Sequence, residues 1–158
     1  MATSQSQGDI KFIYDTVGPA DISLNGATLL RDPGFETAVL ISLFSDRRAD
    51  MDDPLPSEDG ERRGWWGDAL ATARIGSRLW LLDRSNINPT TIAQGEQYVE
   101  ESLGWMLADG SAKTIKCTGS RGARADEIIF EVTITGPAGS VFFKFFYNWK
   151  YQLYGGAE

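Results

Sequence analysis

Hydrophobic positions change their period along this chain, and the changes divide it. From Lys113 onward the period is two. Ile115 and Cys117 fall on one face of a strand-like run from Lys113 to Thr118. Ile128, Phe130, Val132 and Ile134 alternate with Glu127, Ile129, Glu131 and Thr133 in the next run. Gly136-Pro137-Ala138-Gly139 turns the chain into VFFKFFYNW, residues 141–149. One face of that strand carries Val141, Phe143, Phe145, Tyr147 and Trp149, and the other carries Phe142, Lys144, Phe146 and Asn148. Phenylalanines on both faces predict a strand covered on both sides.

Before this meander the period is 3.6. Ile92, Val99, Leu103 and Met106 form one helical stripe, with Tyr98 and Leu107 beside it. Thr91 and Gln94 fit a capping box, and Gly110 stands where a left-handed C-cap belongs. The expected helix runs from Thr91 to Asp109. Gly95 and Gly104 within it each cost about 1 kcal/mol relative to alanine. They suit either close approach of a neighbouring chain or loose packing.

The N-terminal half is less regular. Ile10, Phe12 and Tyr14 give a short strand signal, and Asn25-Gly26 suggests a small hairpin between Asp21 and Leu30. TAVLISLF, residues 37–44, fits a buried strand or a short buried helix equally, because nearly every position is apolar. Ser77 is placed to cap a short helix through Leu82, and GSRGARA (119–125) reads as a loop carrying Arg121 and Arg124. The expected architecture is α+β: one main helix packed on a C-terminal antiparallel sheet, with an irregular loop rich in Arg and Trp. It forms a single domain over 1–158, with a flexible 1–8 and a polar tail at 150–158.

That loop, from Phe44 toward Leu82, fits neither period. It holds Asp46-Arg47-Arg48, then Asp50-Met51-Asp52-Asp53-Pro54-Leu55-Pro56, then Glu61-Arg62-Arg63-Gly64-Trp65-Trp66-Gly67-Asp68. Prolines remove backbone donors and glycines permit turns. Aromatics argue against disorder, and Arg and Trp dominate protein interface hot spots. Asp46, Arg47, Arg48, Glu61, Arg62, Arg63, Trp65, Trp66 and Asp68 are therefore candidate partner contacts, although the arginines also suit neutralisation of nearby acids. Phe142 and Phe146 are further candidates if the last strand lies at a sheet edge, where an aromatic strand invites pairing with another protein's strand; an ordinary internal strand is the other reading.

Charge and composition then exclude whole classes. Net charge is -7 over 158 residues, with a pI near 4.6. Nucleic acid and an anionic membrane surface both call for a basic face instead. No apolar run is long enough for a transmembrane helix, and the polar start, MATSQSQGD, gives no signal-peptide pattern. There is no histidine and one cysteine, Cys117. That removes Ser-His and Cys-His catalysis, makes a transition-metal site improbable and suits assembly in a reducing cytoplasm. Asp50, Asp52 and Asp53 look like the start of a calcium loop, but Pro54 and Pro56 interrupt the pattern. No cofactor is implied. Glu61 and Asp68 offer the one enzymatic alternative, a carboxylate pair for peptidoglycan hydrolysis.

The segments ETAVLISLFSDRRADMDD, GERRGWWGD, GSRLWLL and LGWMLADG resemble the Mu-type phage tail baseplate protein family. The likeness spans about residues 21–149. That family is similar to the W-type small wedge proteins of contractile tails, sometimes labelled tail lysozyme. The resemblance implies a structural, non-enzymatic virion component, assembled in the host cytoplasm in multiple copies per baseplate. Its implied partners are other wedge proteins and sheath or tube-proximal proteins, and its implied role is support for the start of the sheath. The superfamily's Gly-Glu-Arg element matches Gly60-Glu61-Arg62, with Gly67 closing it. Its Glu-Pro-Arg motif after the main helix is replaced here by Ala108-Asp109-Gly110-Ser111.

Overall fold

The computed structural model describes short strand backbones between residues 9 and 32, then residues 36–65, 74–137 and 139–148. The expected flexible start, polar tail and Ala-rich stretch after Asp68, together with Trp66, Asp68 and Trp149, lie outside the described residues.

Six two-residue strands open the chain: β1 (Asp9–Ile10), β2 (Phe12–Ile13), β3 (Asp21–Ile22), β4 (Leu24–Asn25), β5 (Thr28–Leu29) and β6 (Arg31–Asp32). They pair antiparallel as β1 with β6, β2 with β3 and β4 with β5. The expected hairpin is present only between β4 and β5, because Asp21–Ile22 pairs with β2 instead. Its register sets Asn25 opposite Thr28, so Asn25 is a paired residue rather than the first residue of the turn.

Residues 36–44 resolve the strand-or-helix ambiguity. They form helix α1 (Glu36–Phe44), which buries Val39 and Leu43, one turn apart. The 3-10 turn Leu79–Leu82 buries all four of its side chains. It starts later than a Ser77 cap implied. The Ser77 hydroxyl donates instead to the Leu43 carbonyl at 2.6 Å and accepts only a long 3.4 Å bond from the Leu79 amide.

The main helix is shorter and starts earlier than expected. Helix α2 spans Pro89–Leu103, and a single turn, α3 (Trp105–Ala108), follows Gly104. The N-cap is Asn88, whose side chain accepts from the Thr91 amide at 2.9 Å. Pro89 occupies the first turn, where a missing amide costs nothing. The Thr91 hydroxyl donates to the Asn86 carbonyl at 2.8 Å, so no Thr91–Gln94 capping box forms. At Gly104 the chain tightens, with the Leu107 amide reaching the Gly104 carbonyl at 3.1 Å. Gly110 adopts φ +81° just beyond the last turn, as its position implied.

The C-terminal meander is β7 (Thr114–Arg121), β8 (Glu127–Gly136) and β9 (Gly139–Asn148), in spatial order β7-β8-β9. β7 runs further than expected, so Arg121 belongs to the strand and only Gly122 to Asp126 remain as connection. The core face of β8 carries Ile128, Phe130, Val132 and Ile134, each no more than 1% exposed. Val99, Leu103 and Met106 of the helical stripe pack into the same core, with Leu43, Leu79, Phe145 and Tyr147. Leu107 falls off the stripe and is exposed. Gly95 explains how closely the helix lies on the sheet. A Cβ there would stand 2.5 Å from Phe130 Cζ, so the glycine serves contact within the chain. Among the described residues, no helix is long and apolar enough to cross a membrane.

Candidate functional site

The two arginine triplets meet. The Ala49 amide donates to the Arg62 carbonyl at 3.0 Å, which pins the return of the loop. The loop is held to the core by a backbone bridge between Asp46 and Ser77 and by the Trp80 indole, whose Nε1 donates to the Arg47 carbonyl at 2.8 Å.

Most of the candidate guanidiniums are engaged inside the chain. Arg63 bonds Asp46 at 3.0 Å and Asp83 at 3.4 Å, and lies 4.8 Å over the Trp80 ring. Arg47 pairs with Glu101 at 3.0 Å. Arg62 donates to the carbonyls of Asp50 and Met51. Arg78, outside the candidate set, reaches Asp50, Asp53 and Glu101 at 2.8–3.2 Å and stacks 5.0 Å over Tyr98. Burial alone would lower the Arg78 pKa, but the hydrogen bonds to Glu101 and Asp53 outweigh it and hold the charge firmly on. Burial pushes the Asp83 carboxyl up, opposed by the Tyr147 hydroxyl at 2.7 Å and the Arg63 charge. Asp46, Arg63, Trp80, Asp83 and Tyr147 border a cavity of about 140 Å³.

What remains outward on the loop is different. Arg48 and Glu61 are exposed, and neither has an ion-pair partner among the described residues. Trp65 is 41% exposed. The separation of Glu61 from Asp68 lies outside the described residues. No cluster of three metal-binding side chains occurs among those described.

The sheet supplies the second surface. Phe142 and Phe146 share the outer face of β9 with Lys144, which pairs with Glu131 at 3.0 Å. Phe146 is half-buried and Asn148 on the same face is buried, but Phe142 is 51% exposed, so β9 is covered on both sides only toward Asn148. The two phenylalanines differ in their cross-strand neighbours, Phe142 standing opposite Thr133 and Phe146 opposite Ile129.

The two edges of this sheet are treated differently. On β7, the amides of Cys117 and Gly119 point away from β8. They are received by α2, with Cys117 donating to Glu100 at 2.9 Å and Gly119 to Glu96 at 2.6 Å. Ladder alternation then sends Phe130 and Val132 of β8 toward β9, opposite Phe145 and Phe143. The backbone groups of Phe142, Lys144 and Phe146 therefore point outward. Among the described residues nothing bonds to them.

Sequence reasoning missed Arg78, Asp83, Tyr147 and the two helix glutamates. Their partners lie 17 or more residues away, and no local pattern announces such pairings. Met51 was also missed, although an apolar residue between Asp50 and Asp52 has no strand or helix face to join.

These features define a small α+β domain with an arginine-braced loop and a sheet edge whose outward groups at Phe142, Lys144 and Phe146 meet no bonding partner among the described residues. The family model described as "Phage protein GP46" matches residues 35–141. The chain is 39% identical over 138 residues to "Baseplate protein gp46" of Escherichia phage Mu, covering 84% of this chain and 90% of that one. It is 32% identical over 124 residues to "Mu-like prophage FluMu protein gp46" of Haemophilus influenzae, covering 78% and 84% respectively. The chain belongs to this phage GP46 family.

Proposed function

We propose that the chain is a structural component of a phage tail baseplate, with a location in the virion tail. It acts through protein contacts and carries out no reaction. In this reading the arginine-braced loop docks on neighbouring wedge proteins, and the outward edge of β9 takes a partner strand where a contractile sheath begins. Several copies enter each baseplate, and assembly takes place in the host cytoplasm.

The single observation that carries the docking role is the β9 edge at Phe142, Lys144 and Phe146, to which nothing bonds among the described residues. An unpaired edge flanked by Phe142 is an aggregation hazard in a lone protein, and strand addition by a partner both covers it and uses it. The Mu relative's name supplies the setting. The cis ion pairs do not oppose this role. They fix the loop's shape before docking, which lowers the ordering cost of association.

The experiment is electron microscopy of particles from a strain lacking this gene. Tails without baseplate or without sheath are expected. Complete contractile tails in normal number would overturn the reading.

A further inference from the structure

We propose that Met51 is a preformed docking knob that enters an apolar pocket bordered by lysines or arginines on a neighbouring baseplate protein. The proposal rests on the baseplate reading above and names the chemistry of one contact within it.

Met51 is 85% exposed, the most exposed large apolar side chain described. Its backbone is among the most tightly held in the loop. The Asp53 amide donates to the Asp50 carbonyl at 3.2 Å, and the Asp53 carboxylate accepts from the Asp50 amide at 2.7 Å. Arg62 clamps the carbonyls of both Asp50 and Met51. Arg74 and Arg78 fix the flanking carboxylates, Asp50 and Asp53. Exposed apolar residues on mobile loops must be ordered before they bind, whereas this one is ordered already. Methionine is unbranched and polarizable, so it fits pockets of irregular shape.

Charge selects the partner. No basic residue occurs from Ala49 to Glu61. Asp52, Glu58, Asp59 and Glu61 are exposed, and none has an ion-pair partner among the described residues. The Ser57 hydroxyl and the Glu61 amide hold Asp59 below the usual carboxylate range, aided by the nearby Arg84 charge. An apolar tip on a loop with four exposed carboxylates that form no ion pair among the described residues is complementary to a basic-rimmed pocket. A second copy, itself at net charge -7, is a poor match.

The test is competitive incorporation. Isotope-labelled wild-type chain and a variant are mixed in equal amounts with a lysate of the strain lacking this gene. Their ratio in purified particles is read by mass spectrometry. Met51→Lys is expected to be depleted about tenfold or more, which is about 1.4 kcal/mol. Met51→Leu stays within about twofold of wild type, because volume and polarity persist. The triple change Asp52→Lys, Glu58→Lys, Glu61→Lys is depleted most at low salt. Incorporation of Met51→Lys at parity overturns the proposal. So does sedimentation showing that Met51 drives self-association of the isolated chain. Failure of the wild-type chain to enter particles would instead count against the baseplate reading.

Discussion

β7 and β9 are the two edge strands of one three-stranded sheet, and they end in different chemistry. On β7 two outward amides are taken by Glu96 and Glu100 of α2, so the helix closes that edge with side chains. On β9 the outward groups of Phe142, Lys144 and Phe146 meet no such cap among the described residues. Among the described residues the two edges therefore differ in how much backbone they leave to an added strand, and a bias toward one edge turns a general aggregation hazard into a directed contact.

The sharpest way to break this comparison is proline scanning along β9. Phe143→Pro removes a ladder amide to β8 together with a partly buried ring. We expect it to cost at least about 3 kcal/mol and to abolish cooperative unfolding in urea. Lys144→Pro removes only an outward amide and a half-exposed ion pair. Proline is tolerated at such edge positions, so the expected loss is about 1 kcal/mol in the same measurement. Equal losses for the two would mean that the outward assignment is wrong.

On the β7 side, Gly95→Ala is the largest lever. The new Cβ meets Phe130, which is fully buried and has no room to move. Pushing α2 outward should outweigh the helix-propensity gain, for a net loss of about 1–3 kcal/mol by thermal or urea unfolding. The paired change Glu96→Ala, Glu100→Ala uncaps the amides without crowding. About 1 kcal/mol per lost bond is expected, with faster hydrogen exchange at Cys117 and Gly119.

These same elements mark what the sequence could tell. α2 and the alternating runs of β7 and β8 were legible because their apolar residues obey one period. α1 was not, because an unbroken apolar run has no period, and only the tertiary partners of Val39 and Leu43 choose helix. Gly95 fitted either a neighbouring chain or loose packing, since its reason is Phe130, 35 positions away. The Arg-rich loop was legible as ordered. Its pairings were not, because Arg78 selects Glu101 across 23 residues, and Glu96 and Glu100 select backbone amides of a strand. Long-range electrostatics leaves no local pattern to read.

The smallest effect concerns Cys117 on the capped edge. Burial, then the Glu96 and Glu100 charges, push its thiol up to about 12. A thiol raised on folding stabilises the fold fully below its unfolded pKa, near 9. That contribution is lost as pH climbs toward 12. At pH 8 the native thiol should resist a thiol reagent while the unfolded chain reacts readily. Glu96→Gln with Glu100→Gln should speed the native reaction.

The measurement that tests the one-sided sheet most directly is competitive incorporation of Lys144→Pro into particles, against wild type at equal concentration. The variant keeps its β8 ladder and lacks an outward donor and the half-exposed ion pair to Glu131. The account predicts a folded chain, by circular dichroism, that is depleted about tenfold or more from finished tails. A folded Lys144→Pro chain present at parity would contradict it.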